Sequence, residues 1–223
     1  MHVDTANTQG NTNIGLYAFA TDTYCVLGPE AENLKPQLEA VLNVPVVVTT
    51  IAGTSLAGVF LAGNAQTLLI PDIAFEHEIK ALKQAGVSVQ SVSTTHTALG
   101  NNIVANEHGA LIGPMFSEQQ RAHIEKLLGV ETHLFRIAET EVVGSGMIIT
   151  TKGGLIHSQA TQFEQDMAQD ILRLPRLLPG TVNFGSPYVR SGIIANSNGF
   201  LIGSSSGGPE ITNADEALGF IDA

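Results

Sequence analysis

Apolar and polar positions alternate along this chain in five similar blocks. Each block reads as a short apolar strand, a polar turn, a second apolar strand and an amphipathic stretch. The first strands fall at residues 16–20, 59–62, 103–105, 147–151 and 193–195. Asn- and Gly-rich turns follow at 21–23, 63–66, 106–109, 152–154 and 196–199, as hairpins needing positive φ require. Helices declare themselves by period: Leu34, Leu38, Val41 and Leu42 form one stripe, as do Ile124, Leu127 and Leu128, and Phe163, Met167 and Ile171. Residues 74–85 and 212–221 complete the set. Ser117 with Gln120, and Thr161 with Glu164, have capping-box spacing, and Pro36 suits a first helical turn. A third strand is expected after four helices, at 44–51, 87–93, 132–137 and 177–182. The fifth helix has none, and residues 2–8 are left over to supply it.

The blocks are anchored by glycines at Gly15, Gly58, Gly100, Gly144 and Gly192. An apolar residue lies twelve positions after each of the first four, at Leu27, Ile70, Ile112 and Ile156, but only ten after the fifth, at Ile202. A period of this length marks a repeat architecture, whose function sits on the loops of one face. The expected fold is a five-fold pseudosymmetric α/β propeller. Its units are strand-strand-helix-strand near 15–57, 58–99, 100–143, 144–191 and 192–223 plus 1–14. The N-terminal strand closes the ring and removes an exposed sheet edge.

Composition narrows the chemistry. Ten Lys plus Arg against 21 Asp plus Glu give a net charge of −11, which excludes a protein that wraps nucleic acid through phosphate contacts. An acidic surface suits a basic protein partner. No apolar run approaches a membrane span, and the N-terminus has neither the basic nor the apolar region of a signal peptide. The single cysteine, Cys25, rules out an intrachain disulfide framework and fits a reducing cytoplasm. It reads as a small buried hydrophobe on a strand. Seven histidines are spread over different units without metal-ligand spacing, so neither a metal nor a cofactor is expected. Neither Gly144-Ser145-Gly146 nor the Ser204–Gly208 stretch completes a nucleotide-binding motif.

Several ordered blocks make the chain resemble the translation initiation factor 6 family from about residue 3 to the end. They are Asn13-Ile14-Gly15, Ile51-Ala52-Gly53, Gly63-Asn64, Leu99-Gly100-Asn101, Val143-Gly144-Ser145 and Gly180-Thr181-Val182-Asn183-Phe184-Gly185-Ser186. The resemblance implies the pentein form of the five-unit ring and a non-enzymatic, cytoplasmic, monomeric factor. Such a factor binds the intersubunit face of the large ribosomal subunit and blocks the small subunit, with a role in large-subunit biogenesis. The implied partners are mainly ribosomal proteins near the sarcin–ricin loop. Matching positions give Asn64, Gly100, Asn101, Gly144, Ser145, Thr181, Asn183 and Gly185 as ribosome-binding residues. The chain departs from the basic eukaryotic pattern at Val59 and Ala65-Gln66, and its end at Ala223 resembles the shorter archaeal members. Two other classes compete: a guanidine-modifying enzyme of the same fold, and a protein-binding scaffold unrelated to the ribosome. The enzymes carry their nucleophilic cysteine late in the chain, and here no cysteine follows Cys25.

Overall fold

Every block folds into a strand pair, a helix and a returning strand in a computed structural model that describes residues 2–221. Met1, Asp222 and Ala223, the ends of the expected closing unit, lie outside the described residues. A short strand, β1 (Val3–Ala6), comes first. The first unit is β2 (Ala18–Ala20), β3 (Cys25–Leu27), α1 (Lys35–Leu42) and β4 (Val46–Val48). The second is β5 (Ala62–Gly63), β6 (Leu68–Pro71), α2 (Glu76–Gln84) and β7 (Val89–Val92). The third is β8 (Ile103–Ala105), β9 (Ala110–Ile112), α3 (Glu118–Leu128) and β10 (Thr132–Leu134). The fourth is β11 (Met147–Ile149), β12 (Gly154–His157), α4 (Gln162–Leu172) and β13 (Leu177–Gly180). The fifth is β14 (Ile193–Asn196), β15 (Gly199–Gly203) and α5 (Gly208–Ala217).

The described residues form five three-stranded sheets. In each, the first strand is antiparallel to the second, and the third is parallel to the second. The fifth sheet takes its third strand from the other end of the chain: β1 pairs parallel to β15, with Val3 opposite Phe200 and Thr5 opposite Ile202. The core follows the same circuit, since each apolar cluster joins two successive units. Phe19 and Val26 pack with Leu68 and Ile70, and Ile194 and Leu201 pack with Leu27 and Leu38. Each fully buried Leu or Ile contributes about 1.5–3 kcal/mol, so a unit without its neighbours would lose most of its core. The architecture is a pentein-like α/β fold.

Local departures from expectation have identifiable causes. Third strands are shorter than their apolar runs, because tight turns bridged by Ile51–Thr54, Ile137–Thr140 and Val182–Ser186 interrupt them. The segments before β2 and β5 are helical turns rather than strand (Ile14–Leu16 and Ala57–Phe60). The fifth helix begins at Gly208, not residue 212, because Pro209 in its first turn has no N–H to satisfy. It ends before Gly219, whose φ is 81°.

Strand register corrects one anchor. Leu27, Ile112, Ile156 and Ile202 pair with Ala18, Ile103, Met147 and Ile193. The position three residues before these partners is Gly15, Gly100, Gly144 and Arg190. Arg190, not Gly192, is therefore the fifth equivalent, and the twelve-residue spacing holds in every unit. The glycines are required by close approach. A methyl on Gly58 would run into the carbonyl of Gly15, one on Gly100 into that of Gly58, one on Gly144 into that of Gly100, and one on Gly15 into that of Arg190. Gly192 instead faces the side chains of Val182 and Asn183. Gly58→Val is expected to cost about 3 kcal/mol or more, because backbone must move. A urea midpoint equal to that of the parent would contradict this.

Candidate functional site

The topology sorts all loops onto two faces. First strands begin on one face, where second and third strands end and helices start; this is the glycine face. Hairpin turns and helix C-termini lie on the opposite, hairpin face. A shaft runs along the axis between them. Its narrow mouth on the glycine face is lined by Gly15, Gly58, Asn101, Ser145 and Ser191. Its wider mouth, with a volume of about 80 Å³, is lined from all five units and includes Asn64, Asn106, Thr150 and Asn196.

Seven of the eight expected site residues lie on the glycine face. Asn101 and Ser145 are half-buried at the narrow mouth, with Ser145 N–H donating to the Asn101 carbonyl at 3.2 Å. Gly100 and Gly144 are buried beneath them. Thr181, Asn183 and Gly185 belong to the turn after β13. The Asn183 amide donates to the Thr12 carbonyl at 3.0 Å and lies 3.3 Å from Asn13 Oδ1, which also accepts from the Ser191 hydroxyl. This network ties the turn to the narrow mouth.

Asn64 is the exception. It sits on the hairpin face, is 3% exposed, and donates toward the Asn106 and Leu128 carbonyls in the next unit. The same clamp recurs from Asn106 to Leu172 O (2.7 Å), from Thr150 to Leu218 O (3.1 Å) and from Asn196 to Leu42 O (2.8 Å). Each satisfies a carbonyl at the C-terminus of a neighbouring unit's helix. The Asn-Gly turn signal in the sequence is thus also an inter-unit clamp.

Residues overlooked in the sequence shape the glycine face. Its turns hold non-glycine residues at positive φ: Ala52 (51°), Ala138 (49°), Glu139 (63°), Asn183 (49°) and Phe184 (63°). A glutamate at the third position of the adjoining helix binds three of these turns. Glu210 accepts from Thr181 Oγ1 (2.8 Å), Gly185 N (2.9 Å), Phe184 N (3.2 Å) and its own helix start, Gly207 N (2.9 Å). Burial raises its pKa, but these hydrogen bonds outweigh it and hold the carboxyl below the usual range. Glu164 accepts from Ala138 N (3.0 Å) and Thr161 N (2.7 Å). The capping-box spacing of Thr161 with Glu164 was the visible trace of this device.

Six large apolar side chains are also exposed on this face: Ile73, Phe75, Leu134, Phe163, Phe184 and Tyr188. Phe184 is 85% and Phe163 72% exposed. Strand-end and helix-start positions place them there; the expected stripe Phe163–Met167–Ile171 is not the core face of α4, since Phe163 and Met167 are exposed and the helix buries Ala168 and Leu172 instead.

Reactive chemistry is sparse. Cys25 is fully buried, and burial pushes its thiol up to about 12, which denies it thiolate character at neutral pH. Burial lowers the pKa of His157, partly offset by Glu164. Among the described residues, no three His, Cys, Asp or Glu side chains gather as a metal site would need. No helix among them is long and apolar enough to cross a membrane.

Known proteins share this arrangement. The eIF-6 family model matches residues 3–217. Translation initiation factor 6 of Sulfolobus acidocaldarius is 37% identical over 98% of this chain and 99% of its own length. That of Thermococcus onnurineus is 34% identical with both chains fully covered, and that of Haloquadratum walsbyi is 32% identical over 98% of this chain and 97% of its own. A dimethylarginine dimethylaminohydrolase crystallised as an adduct with S-methyl-L-thiocitrulline has a TM-score of 0.53 at 12% identity, covering 79% of this chain and 69% of its own. That likeness is one of fold alone. The match of the family model across the whole repeat array, with full-length relatives above 30% identity, places this chain in the eIF-6 family.

Proposed function

We propose that the protein is a cytoplasmic, single-domain and monomeric translation initiation factor 6. It docks its glycine face on the large ribosomal subunit and so keeps the small subunit from joining, with a part in large-subunit maturation. The carrying observation is the asymmetry of the two faces. The glycine face gathers the apolar side chains Ile73, Phe75, Leu134, Phe163, Phe184 and Tyr188 together with Asn101, Ser145, Thr181 and Gly185. The hairpin face presents polar turns and, past the end of α5, Ile221 as its one large exposed apolar side chain among the described residues. Exposed aromatics amid polar groups are what a protein–protein contact uses. The acidic charge favours basic ribosomal proteins at the intersubunit surface near the sarcin–ricin loop over bare phosphate. In this reading Phe184, Asn101 and Ser145 make contact, Asn183 and the packed glycines Gly100 and Gly144 hold the surface in shape, and Asn64 acts through the fold. The factor works by steric occupation. Catalysis on a guanidine carbon is disfavoured by the buried, protonated state of its one thiol.

Phe184→Asp is expected to weaken binding to large subunits by roughly 30-fold or more, since a fully desolvated aromatic anchor is worth 2 kcal/mol or more. Asn101→Ala should weaken it less, and both should leave the melting temperature within about 2 °C, as befits surface changes. Pelleting with purified archaeal large subunits measures this. Binding unchanged in both variants would overturn the assignment of this face.

A further inference from the structure

Arg190 occupies the one ring position at which the other four units carry glycine. Its side chain is therefore the only one to enter the shaft from that level. The guanidinium carbon lies 5.6 Å from the centroid of the Phe19 ring, and one terminal nitrogen points to the Leu61 carbonyl at a long 3.5 Å. Nε is buried without a hydrogen-bond partner, and among the described residues no carboxylate pairs with the group. Burial lowers its pKa only to about 10, so it stays charged at neutral pH. The side chain as a whole is half-buried at the cavity, with Nε its enclosed, unpartnered atom, so the guanidinium can take a small counter-ion there.

The shaft wall supplies further backbone donors, each with a carbonyl acceptor beside it. Thr21 N–H donates to Tyr24 O and Gly28 N–H to Tyr17 O, so the alternating ladder turns the N–H and C=O of Ala20 away from β3 and toward the axis. The same alternation turns Gly63, Ala105, Ile149 and Ala195 inward, because Asn64, Asn106 and Thr150 N–H donate across their own hairpins and Asn196 holds the equivalent position opposite Gly199. First strands are the edges of all five sheets, and their free groups face one another across the axis.

We infer that the shaft binds one small inorganic oxyanion, of the phosphate or sulfate type, on the Arg190 guanidinium and the inward amides of the first strands. Around it lies a cavity of about 80 Å³, several times what one water needs. Asp22 and Glu107 flank the wide mouth, each already accepting hydrogen bonds, Asp22 from Ser197 (2.7 Å and 2.8 Å) and Glu107 from Ala65 N–H (2.9 Å). They bar large polyanions, leaving a small ion to pass. Surface charges behind the net −11 are largely screened across more than about 8 Å of solvent at physiological salt, whereas the guanidinium acts on the ion in contact, against the opposition of Asp22 and Glu107 in the same cavity. The anion would join the edges of five sheets as a single axial bond hub.

The test uses inorganic phosphate at constant ionic strength, set with sodium chloride. Titration calorimetry should give one saturable site per chain, displaced by sulfate. Amide NMR shifts on titration should centre on Ala20, Gly63, Ala105, Ile149 and Ala195. Arg190→Gln should weaken binding at least about tenfold, the worth of a charge-assisted hydrogen bond. Phosphate should raise the melting temperature of the parent saturably, and that of the variant little. Shifts confined to helix N-termini, equal responses in parent and variant, or no saturable heat would each mean an adventitious ion only and overturn the proposal. The NMR readout on the parent stands even if Arg190→Gln fails to fold.

Discussion

A protein lacking residues 2–8 is expected to lose about 5 kcal/mol or more of stability, a fall in melting temperature of roughly 10–20 °C for a domain of this size. Strand β1 is the third strand of the fifth sheet, laid parallel along β15 from Val3–Phe200 to Ala6–Gly203. Its loss would strip the ladder and leave β15, buried along its whole length, as an open edge. The losses extend beyond the sheet. Phe200 N–H donates to His2 O and Ser204 N–H to Ala6 O, both at 2.8 Å. His2 Nε2 meets Asp215 Oδ1 at 2.8 Å, and the buried Thr8 hydroxyl donates to the Glu30 carbonyl at 2.9 Å. Because the first and fifth units share an apolar cluster, opening this seam would expose Leu201 and Leu27 together. Differential scanning calorimetry checks the prediction. A truncated protein that melts with the parent would show that the N-terminal strand is not needed for closure.

Glu78→Ala is expected to cost about 3–5 kcal/mol, the scale of breaking a buried charged network. The Glu78 side chain is wholly buried and accepts from Thr50 Oγ1, Ala52 N (2.8 Å), Gly53 N (2.9 Å) and Phe75 N (2.8 Å). Removing it would orphan three N–H groups in a turn whose Ala52 already sits at φ 51°. Glu78→Gln should recover only part of the loss, because its NH2 would face donors. Burial raises the Glu78 pKa, but the hydrogen bonds from Thr50, Gly53, Phe75 and Ala52 lower it further, so the net shift is downward. With the folded-state pKa below the unfolded one, the carboxylate's stabilisation is complete above about pH 4.5 and is lost as pH falls through the folded value. Urea midpoints of parent and Glu78→Gln from pH 7 to pH 3 should therefore converge at the acid end. A constant gap across that range would mean that the carboxylate charge contributes nothing.

Much of this fold was legible because each unit repeats the same physical solution. Twelve-residue spacing, hairpin asparagines and the stripes of α1 and α3 all follow from periodicity, and leftover residues 2–8 pointed to strand exchange. What escaped notice was local or collective. Arg190 was hidden because Gly192 lies two residues on and mimics the repeat; only register distinguishes them. Glu78 and Glu210 were missed because Phe75 and Gly207 are not the Ser or Thr that betray a capping box at Thr161. The sense of Asn64 changed because a turn-forming residue and a helix clamp look alike in sequence. The surface of the glycine face could not be read in advance, since Phe184 and Phe163 come to share one face only after β13 and α4 have been oriented.

Sedimentation of purified large and small archaeal subunits, mixed under joining conditions with increasing amounts of this protein, tests its central role most directly. The expected result is co-migration with the large subunit alone and a dose-dependent loss of joined particles, which Phe184→Asp moves to roughly 30-fold higher doses or beyond. Undiminished joining with no protein on the large subunit at any salt concentration would contradict the proposed function.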